Sequence, residues 1–396
     1  MRRRPFLRAA GALSVATLAT TAGCLSRADD EPGSIEDRDY SGYDDGTVAW
    51  PEEGFDAANT GYNPDAELLE SDLESTKITT DGSGIRTDLG GSGVAVVEDR
   101  VYFGTGGGNV VCYGVDGKRR WSYEADPGAG VRTAPTVTRD VVYVSSENGS
   151  YALDAEDGDE LWTSDAGIRW GSSVVADGRL YALSGRDGGA LDLETGELDW
   201  SAETWARGAY AVADGILYAV GSIEGGEIAA FEDGEELWSR SDVGEFYAPP
   251  AVADDVVLAC TKPGELYALD RDTGETVWVY ERPHYATAST TPAVAHGQVY
   301  LPPGNSDWTR CLDLESGDEL WTIRTSLYLS QPTAVADGVY FGTPNEGTFA
   351  VEPDGTIRWH DEDLRLSVPI SAVGERLYAV PSVGPFGSGD VYLLEN

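Results

Sequence analysis

A short motif that ends in tryptophan recurs along the chain, and it restricts the possible folds more than any other feature. Close copies are LDAEDGDELW, LDLETGELDW, LDRDTGETVW and LDLESGDELW, and looser copies are YGVDGKRRW, AFEDGEELW and VEPDGTIRW. The seven copies are spaced by 41, 38, 38, 40, 43 and 38 residues and end at Trp121, Trp162, Trp200, Trp238, Trp278, Trp321 and Trp359. A period near 40 residues predicts an array of one repeated supersecondary unit.

Each repeat contains four short strand signals that are separated by polar turns. Between Pro135 and Trp162 the strand signals are TVT, VVYVS, SYALD and ELW. Short apolar or alternating runs bounded by Gly and Asp are typical of strands in hairpins. Four strands in about 40 residues is the pattern of one β-propeller blade.

The segment before each tryptophan is predicted to be the turn between the third and fourth strands. In the copy at 269–278, Asp270 can accept hydrogen bonds from backbone N–H groups, and Gly274 supplies the positive φ that a short turn needs. Trp278 then lies on the outer strand, where a large aromatic side chain can pack against the next blade. We therefore interpret the seven tryptophans as docking residues between blades.

The sequence predicts an all-β fold, an eight-bladed β-propeller. An eighth repeat begins at Ile370 and stops after its third strand, without a tryptophan. The missing fourth strand is expected from Lys77–Thr80 near the N-terminus, because pairing the two chain ends removes an exposed sheet edge. Lys77 stands near the docking position in that blade.

The repeat resembles that of PQQ-type (BamB-type) propellers, a family that includes quinoprotein alcohol dehydrogenases and a bacterial outer-membrane assembly lipoprotein. The resemblance covers roughly residues 50–396. Trp50-Pro51, Asp56 and the run TGYNP at 60–64 are similar to the lead-in of haloarchaeal members. The resemblance implies either a binding ring or an enzyme that holds a quinone and Ca²⁺ in its mouth.

Residues 1–23 are interpreted as a targeting segment. The run RRPFL at 3–7 resembles a twin-arginine export signal, and TAGC at 21–24 resembles a lipobox, after which Cys24 carries lipid. An uncleaved N-terminal anchor is the alternative. Residues 24–49 are acidic and poor in apolar residues, which predicts a flexible linker. The expected location is the outer face of the cell membrane.

The chain has 69 acidic and 27 basic residues, and its net charge is −42. This composition resembles that of proteins from extreme halophiles, and it disfavours nucleic acid and anionic membrane surfaces as partners. The lipid is then the only expected membrane contact, and the ring is expected to be monomeric.

Strand order gives the ring two faces. The turn face carries the tight turns between first and second and between third and fourth strands, whereas the mouth face carries the longer loops and the connections between blades. Variable loops on a rigid scaffold are common binding sites. Arg and aromatic residues in these connections suit an anionic or planar ligand, although they could instead fill the funnel and pair with nearby acids. The candidates are Arg132, Arg169, Trp170, Trp205, Arg207, Phe246, Tyr247, His284, Tyr285, Tyr328, Gln331 and Arg365.

Catalytic residues are not evident. The dehydrogenases of the family have an adjacent Cys-Cys pair, which this sequence lacks; Cys112, Cys260 and Cys311 lie in separate repeats and favour buried free thiols over one disulfide. Candidate Ca²⁺ ligands at the mouth are Glu245, Asn305 and Asp307. Of the three histidines, only His284 is expected near the mouth, so no Ser-His-Asp arrangement can be assembled.

We expect a non-catalytic binding or scaffold module without a cofactor or metal, whose partner is another exported or membrane protein or a small ligand. A quinone- and Ca²⁺-dependent dehydrogenase is the first alternative. A protein that binds or cleaves polysaccharide is the second.

The acidic composition predicts a salt requirement. At about 1 M salt the Debye length falls to roughly 3 Å, which screens the repulsion between surface carboxylates. The melting temperature should therefore fall as KCl is lowered from multimolar to low concentration. A melting temperature that does not change over this range would contradict the halophilic interpretation.

Overall fold

The fold consists of eight antiparallel sheets arranged as the blades of a β-propeller ring, which confirms the predicted fold class. The computed structural model describes residues 38–39, 49–52, 54–79, 93–125, 130–131, 133–146, 148–165, 173–182, 187–203, 206–221, 226–246, 248–282, 290–304, 306–325, 331–366, 370–380 and 389–396. The expected targeting segment and most of the expected linker lie outside these residues. None of the described residues forms a helix that could cross a membrane.

Three short strands precede the blades: β1 (Ala49–Trp50), β2 (Tyr62–Asn63) and β3 (Glu74–Lys77). Blade 1 contains β4 (Ala95–Val97), β5 (Arg100–Gly104), β6 (Asn109–Gly114) and β7 (Arg119–Glu124). Blade 2 contains β8 (Thr136–Val137), β9 (Val141–Ser146), β10 (Gly149–Asp154) and β11 (Glu160–Ser164). Blade 3 contains β12 (Val174–Ala176), β13 (Arg179–Tyr181), β14 (Asp187–Asp192) and β15 (Leu198–Glu203). Blade 4 contains β16 (Ala206–Ala213), β17 (Ile216–Gly221), β18 (Glu227–Glu232) and β19 (Glu235–Arg240).

The second half of the ring repeats this pattern. Blade 5 contains β20 (Ala251–Ala253), β21 (Val256–Cys260), β22 (Leu266–Asp270) and β23 (Thr276–Tyr280). Blade 6 contains β24 (Ala293–Ala295), β25 (Gln298–Leu301), β26 (Trp308–Asp313) and β27 (Glu319–Arg324). Blade 7 contains β28 (Thr333–Val335), β29 (Gly338–Thr343), β30 (Gly347–Val351) and β31 (Ile357–Asp361). Blade 8 contains β32 (Ser371–Val373), β33 (Arg376–Ala379) and β34 (Tyr392–Glu395).

The eighth blade is completed by the N-terminal strand β3, as the sequence predicts. Strand β3 pairs antiparallel with β34. The inner strand β32 then lies beside the inner strand β4 of blade 1, and the Ser371 hydroxyl donates a 2.7 Å hydrogen bond to the Val94 carbonyl. Both chain ends therefore contribute to closing the ring.

Five docking tryptophans reach the turn between the third and fourth strands of the next blade, and Trp359 instead reaches the Leu69 carbonyl ahead of β3. The Trp162 indole N–H donates to the Leu193 carbonyl at 2.9 Å, and the Trp278 indole N–H donates to the Leu314 carbonyl at 3.0 Å. Equivalent bonds of 2.7–3.1 Å are made by Trp121, Trp238, Trp321 and Trp359. The indole therefore supplies both apolar area and a directed hydrogen bond at the joint.

A glycine in that turn lies under the face of the indole. A Cβ atom added to Gly274 would stand 2.5 Å from Cε3 of Trp238, and one added to Gly196 would stand 2.5 Å from Cε3 of Trp162. Both glycines also have positive φ. The turn therefore uses glycine for two reasons, its backbone conformation and the close approach of the ring.

Two joints depart from this pattern. At the joint of blades 3 and 4, a Cβ on Gly234 would be 3.4 Å from the Trp200 ring, and the Trp200 indole nitrogen has no hydrogen-bond partner within the described part of the chain. In blade 8 the register places Thr76, rather than Lys77, at the docking position. Thr76 pairs with Leu393 of the third strand, as Trp162 pairs with Ala152 in blade 2. The fully buried Ile78 fills this joint, and its carbonyl faces Gly117.

The interior of each blade is apolar, and the three described cysteines lie within it. Cys112, Cys260 and Cys311 are free thiols that are at most 1% exposed. Tyrosines on the second strands pack against the docking tryptophans, with ring centroids 5.9–6.2 Å apart in six of the blades.

Substitution of Gly274 by Ala should destabilise the ring much more than substitution of Gly297. The two residues have nearly equal φ, +69° and +68°, but nothing lies within 4 Å of a Cβ on Gly297. Both changes cost backbone strain, and only Gly274→Ala also displaces an indole, which adds about 1–3 kcal/mol to the loss of stability. Guanidinium unfolding of both variants measures the difference. Equal losses would contradict the packing of Trp238 on this turn.

Candidate functional site

The inner strand of every blade lines the central channel. On the channel side, the backbone groups of an inner strand do not pair with any other strand of the blades. One residue of each inner strand occupies an equivalent position in its blade. In every blade this residue pairs with the second residue of the following strand. These eight positions are Val96, Val137, Val175, Val212, Val252, Val294, Ala334 and Ala372.

The lead-in segment, residues 49–63, contacts all eight positions in the order of the blades. Backbone carbonyls of the segment accept hydrogen bonds of 2.7–2.9 Å from the N–H groups of Val137, Val212, Val252, Val294 and Ala334. Trp50 pairs with Val96, the Glu52 carboxylate accepts from the Val175 N–H, and Asn63 donates 2.8 Å to the Ala372 carbonyl. The lead-in segment thus gives at least one backbone group of every inner strand a partner on the channel side.

Amide side chains fix the middle of the lead-in segment in the channel. The Asn59 side chain donates to the Tyr210 carbonyl at 2.7 Å and to the Pro250 carbonyl at 3.2 Å. Gln331 donates to the Asn59 carbonyl at 2.9 Å and to the Pro292 carbonyl at 3.2 Å. Because Gln331 directly precedes the inner strand of blade 7 on the mouth side, these residues form a floor beneath the mouth.

The lead-in segment contains one buried carboxylic acid, Glu52, and one that is partly buried, Asp56. Glu52 is 5% exposed, and burial raises its pKa well above the usual range, with a further increase from the charge of Asp56. Burial also raises the pKa of Asp56 to about 6, although its carboxylate accepts hydrogen bonds from the Thr60 N–H at 2.9 Å and from the Thr60 hydroxyl at 2.5 Å. Oε2 of Glu52 is buried and has no hydrogen-bond partner in the described part of the chain.

The mouth candidates that the structure describes have different surroundings. Phe246 is 3% exposed and belongs to an apolar cluster at the joint of blades 4 and 5. Gln331 is bound to the lead-in segment. Arg365 is partly exposed, and its Nε donates to the Glu362 carbonyl at 3.2 Å. Arg365 and Gln331 are therefore both partly exposed, but the Gln331 amide nitrogen already donates to the Asn59 and Pro292 carbonyls.

The other mouth candidates lie outside the described residues or have side chains that are not described. They are Arg132, Arg169, Trp170, Trp205, Arg207, Tyr247, His284, Tyr285 and Tyr328. Their role as ligand-binding residues stays a prediction.

Two of the three candidate ligands for Ca²⁺ lie beside basic side chains. The Glu245 carboxylate lies 2.9 Å from Nζ of Lys262, and Asp307 is exposed and lies 3.6 Å from Nη2 of Arg324. Asn305 is outside the described residues. No group of three or more His, Cys, Asp or Glu side chains suited to a metal was found among the residues described. A Ca²⁺ site at these residues stays a prediction.

The histidines are not arranged for catalysis in the described residues either. Nδ1 of His296 lies 2.7 Å from the Tyr300 hydroxyl on the turn face, and His360 stacks on Phe349 with ring centroids 3.8 Å apart. His284 is outside the described residues.

Sequence reasoning missed two features of this region. It treated TGYNP as a segment that precedes the propeller, whereas Thr60, Gly61 and Asn63 bind inner strands across the channel. It also missed Arg282 and Arg310, two arginines at the joint of blades 5 and 6. Arg310 precedes Leu312 by two residues on strand β26 and therefore lies on the same face as that apolar residue.

The geometry defines a PQQ-type propeller, and comparison with known proteins gives the family. The sequence profile described as "Outer membrane protein assembly factor BamB" matches residues 41–209 and 189–309. The chain belongs to this family.

Individual relatives cover the chain only in part. Outer membrane protein assembly factor BamB from Burkholderia pseudomallei is 29% identical over 211 residues, which are 52% of this chain and 46% of that protein. The chain spans about half the length of the curated relatives it matches.

Two solved structures share the fold. BamB from Moraxella catarrhalis has a TM-score of 0.64 at 19% identity and covers 82% of this chain and 98% of that one. Quinohemoprotein alcohol dehydrogenase from Comamonas testosteroni has a TM-score of 0.70 at 15% identity and covers 88% of this chain and 80% of that one.

Substitution of Glu52 by Gln should make stability less dependent on pH. A carboxyl whose folded pKa is raised binds more protons in the folded than in the unfolded state, so stability is lost as pH rises from about 4 through the folded pKa. Glu52→Gln removes this loss at one site, and the variant should gain about 1–2 kcal/mol over the wild type at pH 8 relative to pH 4. Unfolding at both pH values, at constant salt, measures the change. The exposed Glu235→Gln is the control, and an equal response of both variants would contradict the buried state of Glu52.

Proposed function

We propose that the protein is an exported, lipid-anchored propeller that holds a protein partner on its mouth face without catalysing a reaction. The observation that carries this proposal is the contact of the lead-in segment with all eight inner strands. The chain's own residues form the floor of the mouth there, and Gln331 is committed to that floor. The surface left for binding is the rim of loops rather than a deep central pocket.

The family supports a binding role. The matching profile and several of the relatives that match by sequence are named as assembly factors, which supports a protein partner. The neighbours that are dehydrogenases match at 14–15% identity and share the fold alone. Fold by itself does not define function, and the candidate ion ligands Glu245 and Asp307 already lie beside Lys262 and Arg324.

The mouth face suits a partner better than the turn face. On the turn face the aspartates cap their own turns: Oδ1 of Asp270 accepts from the Thr273 N–H at 2.9 Å and from its hydroxyl at 2.7 Å. Arg38 and Asp39, from the expected linker, also contact this face, where the Asp39 N–H donates to Asp140 at 2.7 Å. A chain that approaches along the turn face leaves the opposite rim free for a partner.

The proposed location rests on residues 1–24. The twin-arginine pattern would export the chain, and lipid on Cys24 would hold it at the outer face of the membrane. One lipid chain anchors weakly, so a bound membrane protein would supply the second contact.

Co-purification at high salt tests the proposal. The tagged full chain is isolated from native membranes as wild type, as the mouth-face variant Arg132→Glu/Arg365→Glu, and as the turn-face control Arg376→Glu. Reversal of charge at the rim should reduce recovery of the partner at least about tenfold, whereas Arg376→Glu should recover it at the level of wild type. All three preparations are also assayed for dye-linked dehydrogenase activity with quinone and Ca²⁺, and for glycan binding on an array.

Three results would contradict the proposal. Equal recovery of the same partner by all three chains would remove the mouth face as the binding surface. Dehydrogenase activity that requires quinone and Ca²⁺ would establish the enzyme instead, and selective glycan binding would establish the polysaccharide alternative.

A further inference from the structure

Two arginines meet at the joint of blades 5 and 6, on the mouth side. Arg282 follows strand β23 of blade 5. Its Nε donates to the Gly264 carbonyl at 2.8 Å, and its Nη1 donates to the Pro302 carbonyl at 2.7 Å. These carbonyls belong to the loops between second and third strands of blades 5 and 6, so Arg282 links the two loops.

Arg310 lies beside this link on strand β26 of blade 6. It is 5% exposed, and its Nη1 donates to the Trp308 carbonyl at 2.9 Å. Its Nε lies 3.5 Å from Oε2 of Glu319, too far and too poorly aligned to be a hydrogen bond. The same Glu319 oxygen accepts a 2.5 Å hydrogen bond from the Tyr280 hydroxyl.

The charges at this joint do not balance. Besides burial, the ionisable groups that act most on Arg282 are the Cys260 thiol, Arg310 and the Tyr280 hydroxyl. Burial raises the pKa of the Cys260 thiol to about 11, so the thiol is neutral and does not compensate a guanidinium. Glu319 is thus the one carboxylate that the described residues place beside the two guanidinium groups.

Both guanidinium groups also have an unused donor that faces the interior. Nη2 of Arg282 and Nε of Arg310 are inaccessible to solvent and have no hydrogen-bond partner among the described residues. Burial, and then the charge of Arg310, lower the pKa of Arg282. Two guanidinium groups that share one nearby carboxylate are a costly arrangement where their N–H groups are shielded from water.

We propose that this joint binds a small monovalent anion of halide size between Nη2 of Arg282 and Nε of Arg310. The anion supplies the missing negative charge and accepts the two unused N–H groups. It must be small because neither nitrogen can be reached from solvent by a group that is attached to a larger molecule. A spherical anion also accepts donors from any direction, whereas a carboxylate requires a planar arrangement.

The melting temperature of the full chain tests this site. Potassium gluconate, whose anion is too large to enter, is replaced stepwise by potassium chloride at a constant high K⁺ concentration. The wild type should show a rise of about 2–5 °C that saturates with chloride, as binding to the folded state requires. Arg282→Gln should lose the saturating rise, and Arg324→Gln, a change at a side chain that is 67% exposed on the same blade, should keep it.

A general salt effect predicts a different result. It changes the melting temperature in proportion to the chloride added and affects all three chains alike, and either finding would overturn the proposal. If Arg282→Gln does not fold, crystals of the wild type grown in potassium bromide provide the decision. An anomalous bromide peak within hydrogen-bond distance of both arginines supports the site, and the absence of such a peak overturns it.

Discussion

The contact of an indole ring with a glycine turn is the interaction on which the rest of the ring depends. A four-stranded blade has two apolar faces and cannot bury both alone, so every blade must be matched to its neighbours. The tryptophan of one blade covers the turn of the next and donates a hydrogen bond to its carbonyl group, as Trp162 does to Leu193. The indole ring fits against the turn only because the glycine has no Cβ atom. The tryptophan and the glycine therefore determine the spacing of the blades together. Where the tryptophan is missing, the ends of the chain meet, and the buried Ile78 with strand β3 takes its place.

The lead-in segment is the second constraint, and it connects the fold to the proposed function. Inner strands in a ring leave backbone groups facing the channel, and the lead-in segment contacts such groups in all eight blades. Each such bond contributes about 0.5–1.5 kcal/mol, so their sum is a substantial part of the stability of a typical domain. The segment also carries Glu52 and Asp56 into the interior at a cost in free energy. A mouth whose floor is made of its own chain is suited to contacts at the rim, which is why a protein partner is favoured over a cofactor.

The sequence predicted the fold well because each repeat has the same order of strands, turn residues and docking tryptophan. The physical roles of Asp270, Gly274 and Trp278 can be inferred from the sequence alone. Seven copies of the motif support the same inference independently. The threading of the lead-in segment through the channel could not be predicted in this way, because Asn59 and Asn63 bind carbonyls more than 150 residues away. The same holds for Arg282 and Arg310, whose neighbours come from different blades. The register of blade 8, with Thr76 at the docking position, depends on pairing that only the structure fixes.

Amide hydrogen exchange of the full chain at high salt tests the central claim most directly. Peptides that contain Val212, Val252, Val294 and Ala334 report on N–H groups whose only strand partner on the channel side is the lead-in segment. If that segment seals the inner edge, these amides should exchange as slowly as those of the second strands, and peptides from residues 54–63 should be protected with them. Rapid, loop-like exchange at the inner strands, with slow exchange kept in the second strands, would show an open channel and contradict the account.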